Sequence, residues 1–286
     1  MATQRDQATQ AHNECARIAR PVGSPFRYAS LKLPEATQQL TAAIKALDAE
    51  LGKISIEISE PQVAFARLDW WRAALQELTQ GQKPEHPILL ALADAAARQQ
   101  RLSWLGNTAF IQAIESRLGA VQIELEYHGF EREADLTAFL AARGGSVYQL
   151  YAQCLALSED RQQQLVSLGA AQHRLYLLRY LGRTLPTGRN YLPESLLKRF
   201  DVPQAQAHQL TAIPAELIAT ELNQIQTDIN QSQQAYPGRM PAFFRILTAT
   251  DRAYIKTMQK DPASVLEQRL ELTPFQHWWV AWQASF

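Results

Sequence analysis

Apolar residues in this chain recur every three or four positions almost from end to end, and the runs are broken by proline, glycine or helix-capping residues, a pattern with helical rather than strand periodicity. Leu40, Ile44, Leu47, Leu51 and Ile54 form one such face behind Pro34, which stands at a plausible first helical position. Ser59 and Gln62 resemble a capping box around Pro61 and open a second helix through Leu78, with Gly81 as its stop. Pro87 opens a third that runs to about Gln100, and helical spacing continues over 107–124, 132–156, 159–181, 214–234, 241–259 and 274–283. The pattern predicts an all-α chain of about nine or ten helices. One local conflict is ISIEIS at 54–59, whose alternation and β-branched content suit a strand. It has no comparable strand to pair with and is read as a frayed helix end.

No Ser/Gly-rich linker and no internal repeat divides the 286 residues, so residues 1–23 read as a polar lead-in helix and 24–286 as a single helical domain. The 28 basic residues cancel the 28 acidic ones, which gives nucleic acid no global attraction. No apolar run approaches the roughly 18–20 residues of a membrane span, and the first residues lack the apolar core of a secretory signal. Cys15 and Cys154 suit small buried apolar positions in a reducing compartment. A cytoplasmic location is expected, with at most peripheral contact at an inner membrane.

The six histidines show no local metal-ligand spacing, and the chain lacks a nucleophile elbow, a phosphate-binding loop and a CxxC pair. Glu124, Glu126, Glu131, Glu133 and Asp135 form the one acidic cluster, expected to be a solvated surface rather than a metal site.

The most informative segment is GAAQHRLYLLRYLGRTLPTGRNYLP, Gly169 to Pro193. Its Gly169, Ala171, Leu178, Arg179, Gly188, Arg189, Tyr191, Leu192 and Pro193 are similar, without a gap, to the second signature of the squalene/phytoene synthase family. Upstream, SPFRYASLKLP at 24–34 and RLDWWRAAL at 67–75 resemble that family's opening and an early helix. The resemblance covers roughly residues 24–200 in correct order and implies an isoprenoid-synthase-like helical bundle around a central cavity. Members join two prenyl diphosphates head to head, using two aspartate-rich motifs that hold Mg²⁺ against the departing diphosphate.

This sequence departs from the family at those motifs. The two aspartates of the second fall on Tyr180 and Thr184, and the usual Gln and Asn on His173 and Tyr176. The first aligns with 47–55, placing its acids on Leu51, Gly52 and Ser55, with only Asp48 and Glu50 nearby. The expectation is therefore a pseudoenzyme with no catalytic residues, no metal ligands and no cofactor. GAAQHRLYLLRYLGR, MPAFFRILTATDRAYIKTMQK and LTPFQHWWVAW look like the non-catalytic branch that includes respiratory complex I assembly factors. That branch implies a scaffold whose partner is a respiratory-chain subunit or assembly protein, or a bound prenyl lipid. The runner-up is a working Mg²⁺-dependent prenyltransferase in which Asp48, Glu50 or Asp69 takes the metal role.

Within the implied cavity, Arg179, Arg183, Arg189 and Tyr191, with Lys45 and Lys53 opposite, are candidates for metal-free anion contact; the alternative is structural or surface charge. Leu47, Leu51, Tyr176 and Tyr180 are cavity-lining candidates, either as a filled core or around a lipid. Phe275, Trp278, Trp279, Trp282 and Phe286 include positions that share a helical face, expected to be buried in its own domain. Left exposed, it would mark a protein or membrane interface.

Overall fold

The structure of the chain, a computed structural model, describes residues 4–286, with side chains from residue 6. The helices are α1 (Gln4–Ala19), α2 (Pro25–Ser30), α3 (Glu35–Glu57), α4 (Pro61–Thr79), α5 (Pro87–Arg98), α6 (Leu102–Leu105), α7 (Thr108–Leu125) and α8 (Glu133–Leu140). They continue as α9 (Ser146–Cys154), α10 (Glu159–Arg179), α11 (Leu181–Thr184), α12 (Glu194–Arg199), α13 (Ala215–Ala235), α14 (Ala242–Met258), α15 (Ser264–Glu267) and α16 (Pro274–Ala284). No strand occurs among the described residues, and the chain is the single all-α domain that its periodicity predicts.

Two long helices organise the rest. The predicted apolar stripe of α3 is buried from Leu40 to Ile54, and α1, α5, α7 and α9 pack around it. Helix α10 is surrounded by α8, α9, α13 and α14. Asn107 caps α7 by accepting from the Phe110 amide, and Ser24 caps α2 through the Arg27 amide, so short polar side chains set these starts. The small face of α1, Ala8, Ala11, Cys15 and Ala19, lies buried against α3 and α5, and its imidazole His12 pairs with Asp94 of α5 at 2.7 Å. Both cysteines are free and buried, and burial pushes each thiol up to about 12.

The ISIEIS segment stays helical through Glu57 and becomes extended only at Ile58, because Ile54 belongs to the buried stripe and no neighbouring strand exists to compete. The helix expected over 132–156 is interrupted by one π-helical turn, Ala141–Gly145, between α8 and α9. Its cause is a close crossing with α10. A Cβ on Gly144 would lie 2.6 Å from the His173 Cβ, and one on Gly145 would lie 2.8 Å from the Val166 carbonyl, so only glycine lets the backbones approach.

Candidate functional site

Residues 45, 48, 52 and 55 share one face of α3, and that face looks across the molecule towards α7, the π turn and α10. Asp48 is its charged centre. One carboxylate oxygen accepts from Arg117 Nε at 2.9 Å and Arg143 Nη1 at 2.7 Å, and the other from Lys45 Nζ at 3.2 Å. Arg117 Nη2 also donates to the Asp48 carbonyl at 3.2 Å. Beyond it, Glu124 receives Arg143 Nε at 3.3 Å and the Ser55 hydroxyl at 2.7 Å. Position 52 faces the same cluster, since a Cβ on Gly52 would meet Arg143 Nη2 at 3.1 Å.

The cluster is dry. Arg117 is 1% exposed, and its Nη1 has no hydrogen-bond partner. Burial alone would push the Asp48 carboxyl up, yet Arg143, Lys45 and Arg117 together hold it well below the ordinary carboxylate range. Burial and the Arg143 charge lower Arg117 to about 10, whereas Asp48 and Glu124 outweigh burial at Arg143 and raise it. Lys45, Arg117 and Arg143 face Asp48 and Glu124, which leaves the cluster one cation in excess.

The π turn is what delivers Arg143. A continuous α-helix over this stretch would rotate the side chain by a different angle, whereas the wider turn lets the Gly144–Gly145 backbone nest against α10 while Arg143 reaches Asp48. Across from it, α10 presents His173 and Tyr176, whose rings stack at 5.5 Å, and the Tyr176 ring meets Tyr180 at 4.4 Å. Arg269 sits over the Tyr180 ring at 4.8 Å. Burial and the nearby Arg143 push the His173 imidazole well below its usual range, so it is neutral, and its Nε2 has no partner. Deeper along α10, Gln172 donates to both oxygens of buried Asp251 on α14, at 3.0 and 3.3 Å.

The residues singled out in the sequence do not converge on one anion site. Lys45 reaches the ionic cluster, but Lys53 turns outward to Glu50 at 2.6 Å. Arg179 is a fastening residue: it donates to the Leu270 carbonyl at 3.0 Å and stacks on Tyr254 at 3.4 Å. Arg183 is exposed on α11. Arg189 binds Tyr191, which packs with Tyr127, Phe130 and Phe139 in a separate small aromatic core. Leu47 and Leu51 are fully buried in the main core, whereas Tyr176 is partly open to solvent, with burial and Tyr180 raising its hydroxyl to about 12.

Sequence reasoning missed Arg117, Arg143 and Glu124. Glu124, expected on a solvated acidic surface, turns inward from the last turn of α7. The available signal for Arg117 is its place at helical spacing on the apolar face of Phe110, Ala113, Ile114 and Val121, and for the π turn the Gly-Gly pair after Arg143.

These residues do not fit a Mg²⁺ centre for diphosphate. Asp48 is enclosed by cations, Glu50 pairs with Lys53, and Asp69 projects outward from α4 to Arg72. At the end of α10 and on α11 the corresponding side chains are Tyr180 and Thr184, the latter bonded within its own turn to the Leu181 carbonyl. Among the described residues, no three His, Cys, Asp or Glu side chains gather to hold a metal.

The sequence pattern of the squalene/phytoene synthase family matches residues 19–276. The chain is 24% identical over 206 residues to 15-cis-phytoene synthase from Synechococcus elongatus, covering 68% of this chain and 64% of that one. It is 25% identical over 88 residues to NADH dehydrogenase (ubiquinone) complex I, assembly factor 6 from Rattus norvegicus, covering 31% of this chain and 26% of that one. The aligned parts therefore span less than two thirds of either relative. A ligand-bound dehydrosqualene synthase superposes with a TM-score of 0.80 at 17% identity, covering 99% of this chain and 98% of its own. A squalene synthase from Alicyclobacillus acidocaldarius gives 0.74 at 16%, with 88% and 94% covered. With the α10 signature in place and the family pattern running from α1 into α16, this chain belongs to the squalene/phytoene synthase family.

Proposed function

We propose that this chain is a non-catalytic member of its family that works as a scaffold or assembly factor. The observation that carries the reading is the state of Asp48, the one acid on the inward face of α3. A prenyl synthase needs carboxylates that can give their charge to Mg²⁺, so that the metal can neutralise the departing diphosphate. Here the carboxylate already serves Lys45, Arg117 and Arg143. Freeing it for a metal would leave buried Arg117 without its paired carboxylate and Arg143 with Glu124 alone, a loss of about 3–5 kcal/mol for a broken buried pair. The positions facing it on α10 offer a phenol and an imidazole with its proton off, neither suited to a hard cation at neutral pH. The ion pairs thus take the structural place of the metal.

The likeness to a complex I assembly factor supports a role in assembling a respiratory NADH dehydrogenase. The test is pyrophosphate release from farnesyl and geranylgeranyl diphosphate with Mg²⁺, using an active relative as control. No release above background is expected from folded protein; release at the control's rate would establish the prenyltransferase instead. Tagged chain recovered from its native host is expected to carry respiratory NADH dehydrogenase subunits, and recovery without them would remove the assembly role.

A further inference from the structure

Helix α16 is amphipathic the wrong way round. Its narrow inward side is His277 and Ala281, both buried, while its large rings point to solvent. Phe275 is 68% exposed, Trp278 and Trp279 are each 44%, Trp282 is 48% and Phe286 is 79%. Burial of this face in its own domain, the sequence expectation, does not occur, because the inward contacts to α2 and α14 are made by the small side. The rings form an unbroken row, with successive centroids 5.7, 6.3, 5.2 and 5.6 Å apart. Rings of about 150–250 Å² each, exposed to this degree, present on the order of 500 Å² of aromatic surface. That is as large as the largest apolar patch of an ordinary soluble monomer, and it lies on a single helix.

Charge around the row is one-sided. Residues 272–286 contain no Asp, Glu, Lys or Arg. At the start of α16, Pro274 abuts Gly23, where an added Cβ would lie 2.8 Å away, and His277 Nδ1 meets the Gly23 carbonyl at 2.9 Å. This joins the row to residues 20–34, which hold Arg20, Arg27 and Lys32 and no acid, and which expose Val22 at 88% and Leu31 at 59%. At the other end Arg239 and Arg245 bind the Phe286 carbonyl. The acid next to the row is Glu271, paired with Arg269 and near Arg179, so in a chain whose total charge is zero the cations around the aromatic row outnumber the acid beside it.

We propose that α16 with the adjoining segment 20–34 docks the protein on an anionic membrane surface. Tryptophan rings have an apolar body and a polar N–H and settle at the boundary between headgroups and acyl chains. Flanking Lys and Arg each add about 1 kcal/mol near an anionic leaflet. The helix is already formed, since Thr273 accepts from the Gln276 amide and Gln276 returns a bond to the Thr273 amide, so docking carries no cost of ordering it. No described helix is long and apolar enough to cross a membrane, so the contact lies in the surface plane.

The experiment is sedimentation of the full chain with vesicles of phosphatidylcholine, with and without phosphatidylglycerol, read together with tryptophan emission. Binding to the anionic vesicles, a blue-shifted emission and weakening by salt are expected. Replacing Trp278, Trp279 and Trp282 together by Ser is expected to reduce binding at least tenfold without lowering the melting temperature. Arg27→Glu with Lys32→Glu, which leaves every ring in place, is expected to weaken binding to anionic vesicles alone. No sedimentation, or sedimentation unchanged in both variants, overturns the proposal. So does a dimer in solution that the tryptophan variant dissolves while vesicles do not bind, since a second copy would then cover the face.

Discussion

At the residue scale, Asp48 ties Lys45, Arg117 and Arg143 into one ionic cluster. Arg117 is buried, so removing the acid leaves its charge without a paired carboxylate, while Arg143 keeps Glu124. Asp48→Ala is expected to lower the unfolding free energy by about 3–5 kcal/mol. Glu50→Ala, two residues away in a partly exposed pair with Lys53, is expected to change it by no more than about 1 kcal/mol. Denaturant titration of the two variants checks the contrast, and similar losses would mean that the Asp48 cluster is hydrated. The sequence places Asp48 on α3, but its partners stand 69 and 95 positions away, and helical periodicity does not carry that far. For the same reason Lys45 was found as a candidate while the arginines beside it were not.

At the element scale, the crossing of the π turn with α10 decides where both walls of the interior stand. Gly169, the first residue of the family-like signature, faces Gly144 here: an added Cβ would lie 2.5 Å from the Gly144 carbonyl and 2.7 Å from the Tyr148 Cβ. Alanine normally favours a helix interior over glycine by about 0.8–1.0 kcal/mol, and overpacking of this kind costs about 1–3 kcal/mol. Gly169→Ala is expected to destabilise by about 1–2 kcal/mol, and Gly119→Ala, in α7 with nothing within 4 Å, to stabilise by up to about 1 kcal/mol. Thermal melting of both checks the signs. Long helices were legible because propensity, capping and apolar spacing agree along them. The π turn was not, because five residues of wider winding leave the three-to-four spacing on either side almost unaltered.

At the scale of the whole molecule, stability depends on pH through a group that no motif marked. Burial raises the Asp251 carboxyl to about 7, against the opposing pull of Gln172 and Arg179. A raised carboxyl favours the protonated fold, so its contribution is complete below about pH 4, declines as pH rises and is gone above about pH 7. Asp251→Asn keeps a polar partner for Gln172 and removes the titration. The wild type is expected to lose on the order of 3 kcal/mol relative to that variant between pH 4 and 8. Unfolding measured at both pH values checks this, and a constant difference would mean that Asp251 keeps its charge in the fold. The class, the helix order and the family signature were open to sequence reading because each is local or repeated. Which face of α16 meets water was not, since it depends on contacts with α2 and α14 from far along the chain.

The seam between His277 and Gly23 joins residues 254 positions apart. Loop-closure entropy rises with the length of chain enclosed, and contacts of such separation reward the chain only after shorter loops have closed. On that principle the aromatic row is expected to settle after the contacts of closer sequence separation, and pulse-labelling hydrogen exchange of the α16 amides during refolding checks the order.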